Sequence, residues 1–216
     1  MLERYAKEFM RSAALAFSWY WLMWLGVAIA GTFVLVVSGI DWKYYELTRS
    51  PSLFSVVMFA GLAGFVIPVL APLFLLFISF TRTRLELRTM AFTIAGSELF
   101  AYLISVFLKT FTGRFQPNLA HGLDISREFH FGFLENGIFW GWPSSHAAVA
   151  FAGSVALALL VHNKTIRIVA IIYACSIGFG ASVGFHWLSD VLTGALVGTF
   201  AAYIVVSRVR AGAVIS

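Results

Sequence analysis

The chain has 216 residues, of which 60% are hydrophobic, 17% aromatic and only 12% charged. Soluble domains carry about 25% charged residues, so this composition, with a mean hydropathy of +0.88, excludes a large soluble domain, a disordered tail and a nucleic-acid module. The net charge of +5 reads as topology and attraction to anionic lipid head groups, and the single cysteine, Cys175, excludes an intrachain disulfide and any multi-cysteine metal site.

In chain order, residues 1–15 mix Arg4, Lys7 and Arg11 with Leu2, Tyr5, Phe9 and Met10. Basic residues at helical spacing beside an apolar set predict a helix lying in the membrane interface. A cleaved signal peptide fits less well, because Glu3 and Glu8 dilute the basic segment and no A-x-A site follows. Six apolar stretches come next, over about 17–39, 53–80, 91–108, 144–161, 168–187 and 189–207. Each approaches the roughly 20 apolar residues that cross a bilayer. Pro68 and Pro72 predict a kink in the second. Glu98, inside the third, is placed for interhelical pairing. Gly194 and Gly198 form a G-x-x-x-G that favours close helix contact. The expected fold is therefore all-α. It is a single membrane-embedded domain over 1–216, with six transmembrane helices in a core of about 17–207 and an interfacial amphipathic helix at about 1–15.

Six spans put both termini on one side. Ten of the fifteen lysines and arginines then fall with the termini, and five (Lys43, Arg49, Lys109, Arg114 and Arg127) fall opposite. By the positive-inside rule both termini are cytoplasmic, and residues 40–52 and 109–143 face outward. An integral protein of the plasma (inner) membrane is expected, with its working face on the outer, periplasmic side.

Chemistry-bearing residues gather on that face in three segments. These are Lys109 through Arg114, Gln116 and Pro117; Pro143-Ser144-Ser145-His146; and His186-Trp-Leu-Ser-Asp190. Lys109 and Arg114 offer cations, the latter as a fork suited to phosphate oxygens. Ser144 and Ser145 offer hydroxyls at the start of a helix, itself an anion-binding terminus. His186 and Asp190 are four apart, a spacing that lets a carboxylate orient an imidazole. One histidine can then attack phosphorus while the other protonates the leaving oxygen. His121 and His130 have no matching partner spacing and read as loop residues, and His162 falls on the cytoplasmic side. The aromatics between Phe129 and Trp142 suit an interfacial belt or lid.

These segments resemble the type-2 phosphatidic acid phosphatase superfamily of integral membrane lipid phosphatases with a six-helix core. Its pattern is Lys, six residues, Arg-Pro; then Pro-Ser-Gly-His; then Ser-Arg, five residues, His, three residues, Asp. The resemblance implies Lys109, Ser144 and the Ser145 backbone as phosphate ligands and His146 as general acid. It also implies His186 as the nucleophile that forms a phosphohistidine, with Asp190 orienting it. The chain departs from the pattern at Gln116 and Gly180, where arginines are expected, at Phe179 for a serine and at Ser145 for a glycine. Arg114, two residues from Gln116, and Ser182, four before His186, are the candidates to compensate. The implied activity is hydrolysis of a phosphomonoester or diphosphate of a membrane lipid at the outer leaflet, without a cofactor or metal. Phosphatidic acid, phosphatidylglycerol phosphate, polyprenyl diphosphate and lipid A are the substrate candidates. The partners are thus a phosphorylated lipid and the bilayer, with no nucleic acid; oligomeric state is not indicated. A lipid-to-lipid phosphotransferase and a non-catalytic lipid-phosphate-binding protein are the alternatives.

Overall fold

A computed structural model describes residues 19–81, 84–117, 120–135, 138 and 140–214. The expected interfacial helix over 1–15 lies outside the described residues. Among those described the chain is all-helical: α1 (Trp19–Val37), α2 (Ile40–Thr48), α3 (Phe54–Thr81), α4 (Leu85–Thr112), α5 (Ser145–Leu160), α6 (Lys164–Gly184) and α7 (Leu188–Val214). A single turn of tighter helix, Pro51–Leu53, leads into α3. The protein is an integral membrane protein. Four of its helices (α3, α4, α6 and α7) are long and apolar enough to cross a membrane, and a fifth span results if α1 and α2 count as one bent span. α5 is apolar but has only 16 residues, short of the roughly 20 that a straight crossing takes. Six helices thus occur where six spans were expected, while four or five meet the length and composition of a crossing.

Residues 40–52, expected only to face outward, are largely helical. Gly39, between α1 and α2, is the N-cap of α2 and is left-handed, with φ of +72°. A side chain would resist that geometry, and the chain turns there by 69° into α2. Asp41, in the first turn of α2, is thereby carried into the interior.

α5 and α7 form the centre of the bundle and have the most extensive contact of any helix pair. The G-x-x-x-G face makes this possible: a methyl group on Gly194 or Gly198 would run into the Ser144 and Ala148 carbonyls of α5. The core between them is built of small residues, with Ala148, Ala152, Ala201 and Val205 packed on Phe100 and Ile104 of α4. Large apolar side chains point outward instead, as Phe65, Phe74, Phe77 and Phe80 do on α3. That arrangement suits a lipid solvent, where close approach of small residues holds helices together. Pro68 and Pro72 are buried within a continuous α3. Glu98 of α4 lies against Gly153 of α5, where a side chain would collide with its carboxylate.

Candidate active site

Lys109 stands in the last turn of α4, which Gly113 closes in the left-handed conformation. The carbonyls left open at that end are taken up by the following loop. Leu134, Gly132 and His130 donate their N–H groups to Thr110, Phe111 and Gly113 at 2.8, 3.2 and 3.3 Å. The Thr112 hydroxyl reaches the Trp142 carbonyl at 2.7 Å. The Trp142 indole in turn donates to Thr32 of α1 at 2.8 Å and to Thr193 of α7 at 3.2 Å. Gly141, with φ of +104°, lets this turn back directly onto the Arg114 backbone; a Cβ there would lie 2.7 Å from the Arg114 nitrogen. The end of α4, the turn before α5 and the start of α7 are therefore held in one assembly.

Ser144 caps α5, its hydroxyl accepting from the Ala147 N–H at 3.4 Å, and its own N–H donates to the Asp190 carbonyl at 3.0 Å. Ser145 and His146 open the helix and are half-buried. The His146 ring lies against Gly64 of α3, 5.0 Å from the Phe185 ring and 6.5 Å from the His186 ring, centroid to centroid. His186 sits in the break between α6 and α7, where its N–H is held by the Ala181 carbonyl at 2.9 Å. Its Nδ1 faces Asp190 Oδ2 at 3.4 Å, and the same oxygen accepts from the Trp187 N–H at 3.2 Å. This pairing engages Nδ1 of His186 and leaves Nε2 as the ring nitrogen turned from Asp190. Burial, above all, pulls the His186 pKa below the ordinary histidine value; the hydrogen bond to Asp190 opposes that, while Lys109 and Arg114 reinforce it. Lys109, itself buried, lies within electrostatic reach of both histidines and of Asp190.

The structure therefore brings Lys109, Ser144, Ser145, His146, His186 and Asp190 to one end of the bundle. Arg114 is there too, but its guanidinium is taken up by protein partners. It is fully buried, and all five guanidinium N–H groups meet protein acceptors. Nε bonds the Ser126 carbonyl at 3.1 Å; Nη1 bonds Ser189 Oγ at 2.7 Å and Asp190 Oδ1; Nη2 bonds Asp41 Oδ2 at 2.7 Å and the Ser126 carbonyl. The Phe129 and Trp187 rings cover it at 4.7 and 5.5 Å. The expected phosphate clamp at Arg114 does not fit this geometry, because no donor remains for a ligand.

Ser182 does not fit its expected part either. Its hydroxyl donates to the Phe179 carbonyl and contacts the Tyr44 hydroxyl, both at 2.8 Å. Gln116 is buried, and its Oε1 has no hydrogen-bond partner. At Gly180 an arginine has no room: a Cβ would overlap the Ala60 methyl and lie 2.8 Å from the Val56 carbonyl of α3. His162 is exposed just beyond the far end of α5, and His130 packs on Phe115 at 4.5 Å. Among the described residues no group of three or more His, Cys, Asp or Glu side chains is arranged to hold a metal ion. The residue that sequence reasoning missed is Asp41. It lies outside the three motifs, and its only signal was a carboxylate in a segment already placed on the working face.

The family model of the PAP2 superfamily matches residues 89–212, more than half of the chain and all three motifs. The chain belongs to this superfamily. Its members are generally phosphatases, which supports a phosphoesterase acting on lipid-like phosphate substrates. Comparison with curated proteins and with solved structures found no match.

Proposed function

We propose that this PAP2 superfamily protein hydrolyses a phosphomonoester or diphosphate of a membrane lipid at the outer leaflet, through a phosphohistidine on His186. The observation that carries the reading is the division of Asp190: one oxygen serves Arg114 and the other faces Nδ1 of His186. That division favours the tautomer with Nδ1 protonated and Nε2 bearing the lone pair. Nε2 attacks phosphorus, the bond to the leaving oxygen breaks, and His146 gives that oxygen its proton. The two rings stand far enough apart for a phosphoryl group between them. In the second half, His146 takes a proton from water, the water oxygen bonds to phosphorus, and the P–N bond breaks. Phosphate leaves with both histidines restored. Lys109, the Ser144 hydroxyl proton and the N–H groups at the start of α5 hold the equatorial oxygens as charge grows on them. The whole chain acts as one membrane domain with both termini cytoplasmic, and the two histidines and Lys109 cover the chemical roles without a metal.

Phosphate release from a panel of phospholipid and polyprenyl phosphates by purified protein tests the reading. His186→Ala is expected to abolish release and any trapped phosphoenzyme, and excess EDTA to leave the wild-type rate unchanged. Near wild-type release by His186→Ala overturns the mechanism.

A further inference from the structure

Asp41 lies outside the family-matched segment, yet it is fully buried against the site. Its Oδ1 accepts from the Ser189 N–H at 2.9 Å, and its Oδ2 accepts from the Ser189 hydroxyl at 2.6 Å and from Arg114 Nη2 at 2.7 Å. Burying a carboxylate is costly unless it is paired, and the Gly39 turn places this one where it meets the guanidinium. The result is a continuous series, Asp41 to Arg114 to Asp190 to His186, with one cation shared between two carboxylates. A guanidinium released from Asp41 would still be held by Ser126 and Ser189. With no opposing carboxylate, however, it would shift toward Asp190, whose second oxygen would then be pulled from Nδ1. We infer that Asp41 is a positioning residue of the phosphoryl-transfer site: its carboxylate on Arg114 Nη2 opposes the pull of Asp190 on the same guanidinium, so that Asp190 keeps one oxygen for His186. This rests on His186 being the nucleophile. It also explains how a segment beyond the superfamily's motifs takes part in the site.

A purely structural Asp41, capping the start of α7 and pairing with Arg114, would affect stability alone. Asp41→Asn keeps an acceptor for the Ser189 N–H but removes the charge. The expected result is a kcat lower by about 10-fold or more with KM unchanged. The His186 ring, followed by NMR of nitrogen-labelled histidine, is also expected to titrate at lower pH. The charged and titratable groups facing that ring are Asp190, Lys109 from α4, Arg114 from the loop after it, and His146 from α5; loss of the Asp41 charge leaves Arg114 less compensated among them. A lower melting temperature with wild-type kcat and an unmoved titration overturns the inference. Should the asparagine variant not fold, Asp41→Glu takes its place: the charge stays while the carboxylate shifts by about 1.5 Å. The same loss of kcat is expected there, and a wild-type kcat overturns the proposal. If the wild type releases phosphate from no lipid, the functional reading fails separately; the His186 titration in Asp41→Asn then decides the role of Asp41 by itself.

Discussion

Arg114 illustrates how far spacing alone reaches at the scale of a residue. Its position, five after Lys109 and beside the family's motif, gave its neighbourhood correctly. The direction of its side chain depends on two acidic partners 73 and 76 residues away, and no local pattern encodes that. Removing the guanidinium strands two buried carboxylates. Arg114→Met should therefore destabilise the fold by about 3–5 kcal/mol, read from unfolding in detergent. Arg114→Lys retains the charge, but three ammonium donors cannot replace a five-donor fork. It should lower kcat about 10-fold while sparing KM, since the side chain does not touch substrate. Wild-type kinetics in that variant would separate Arg114 from the reaction. His186, in contrast, was legible, because His and Asp four apart across a helix start are brought together by local geometry. Its lowered pKa carries a sign. Burial favours the neutral ring, which is the nucleophilic form, so activity should persist as pH falls through the ordinary histidine value of 6.5. A kcat/KM profile should place the acidic limb below that value; a limb above it would contradict a buried neutral nucleophile.

Elements were read from hydropathy, and hydropathy reports length and burial better than it reports breaks. The six apolar stretches reappear as helices, and the small-residue face of α7 packs on α5 as its glycine spacing suggests. α2 escaped notice because Ile40–Thr48 is mixed in polarity; a short bent helix folded over the site has no apolar run to reveal it. The contact between α3 and α6 was equally hidden. At Gly180 these helices approach so closely that the arginine of the family pattern is sterically excluded. Restoring it should not restore a phosphate ligand. Gly180→Arg is expected to separate the two helices and lower the melting temperature steeply, with loss of turnover. A stable, more active Gly180→Arg enzyme would show that α3 yields at this point. Even Gly180→Ala should cost stability, because the obstruction begins at Cβ.

For the whole molecule, charge asymmetry and helix order make a joint statement. The site gathers at the end of the bundle shared by α2, the α4 C-terminus and the α5 and α7 N-termini, whereas exposed His162 marks the other end. With Cys175 replaced by serine, a cysteine at exposed Leu123 should react with a membrane-impermeant thiol reagent in intact cells. A cysteine at His162 should react only once the cells are opened. The reverse pattern would turn the protein over in its membrane. The sharing of Arg114 also bears on product release. Lys109 and Arg114 are balanced by Asp41 and Asp190, so these four side chains present no net charge to a departing dianion. A phosphatase clamped by several unpaired cations risks being silted up by its own product. Here inorganic phosphate should inhibit only on the order of millimolar concentrations, and the enzyme should keep turning over where released phosphate accumulates beside the membrane.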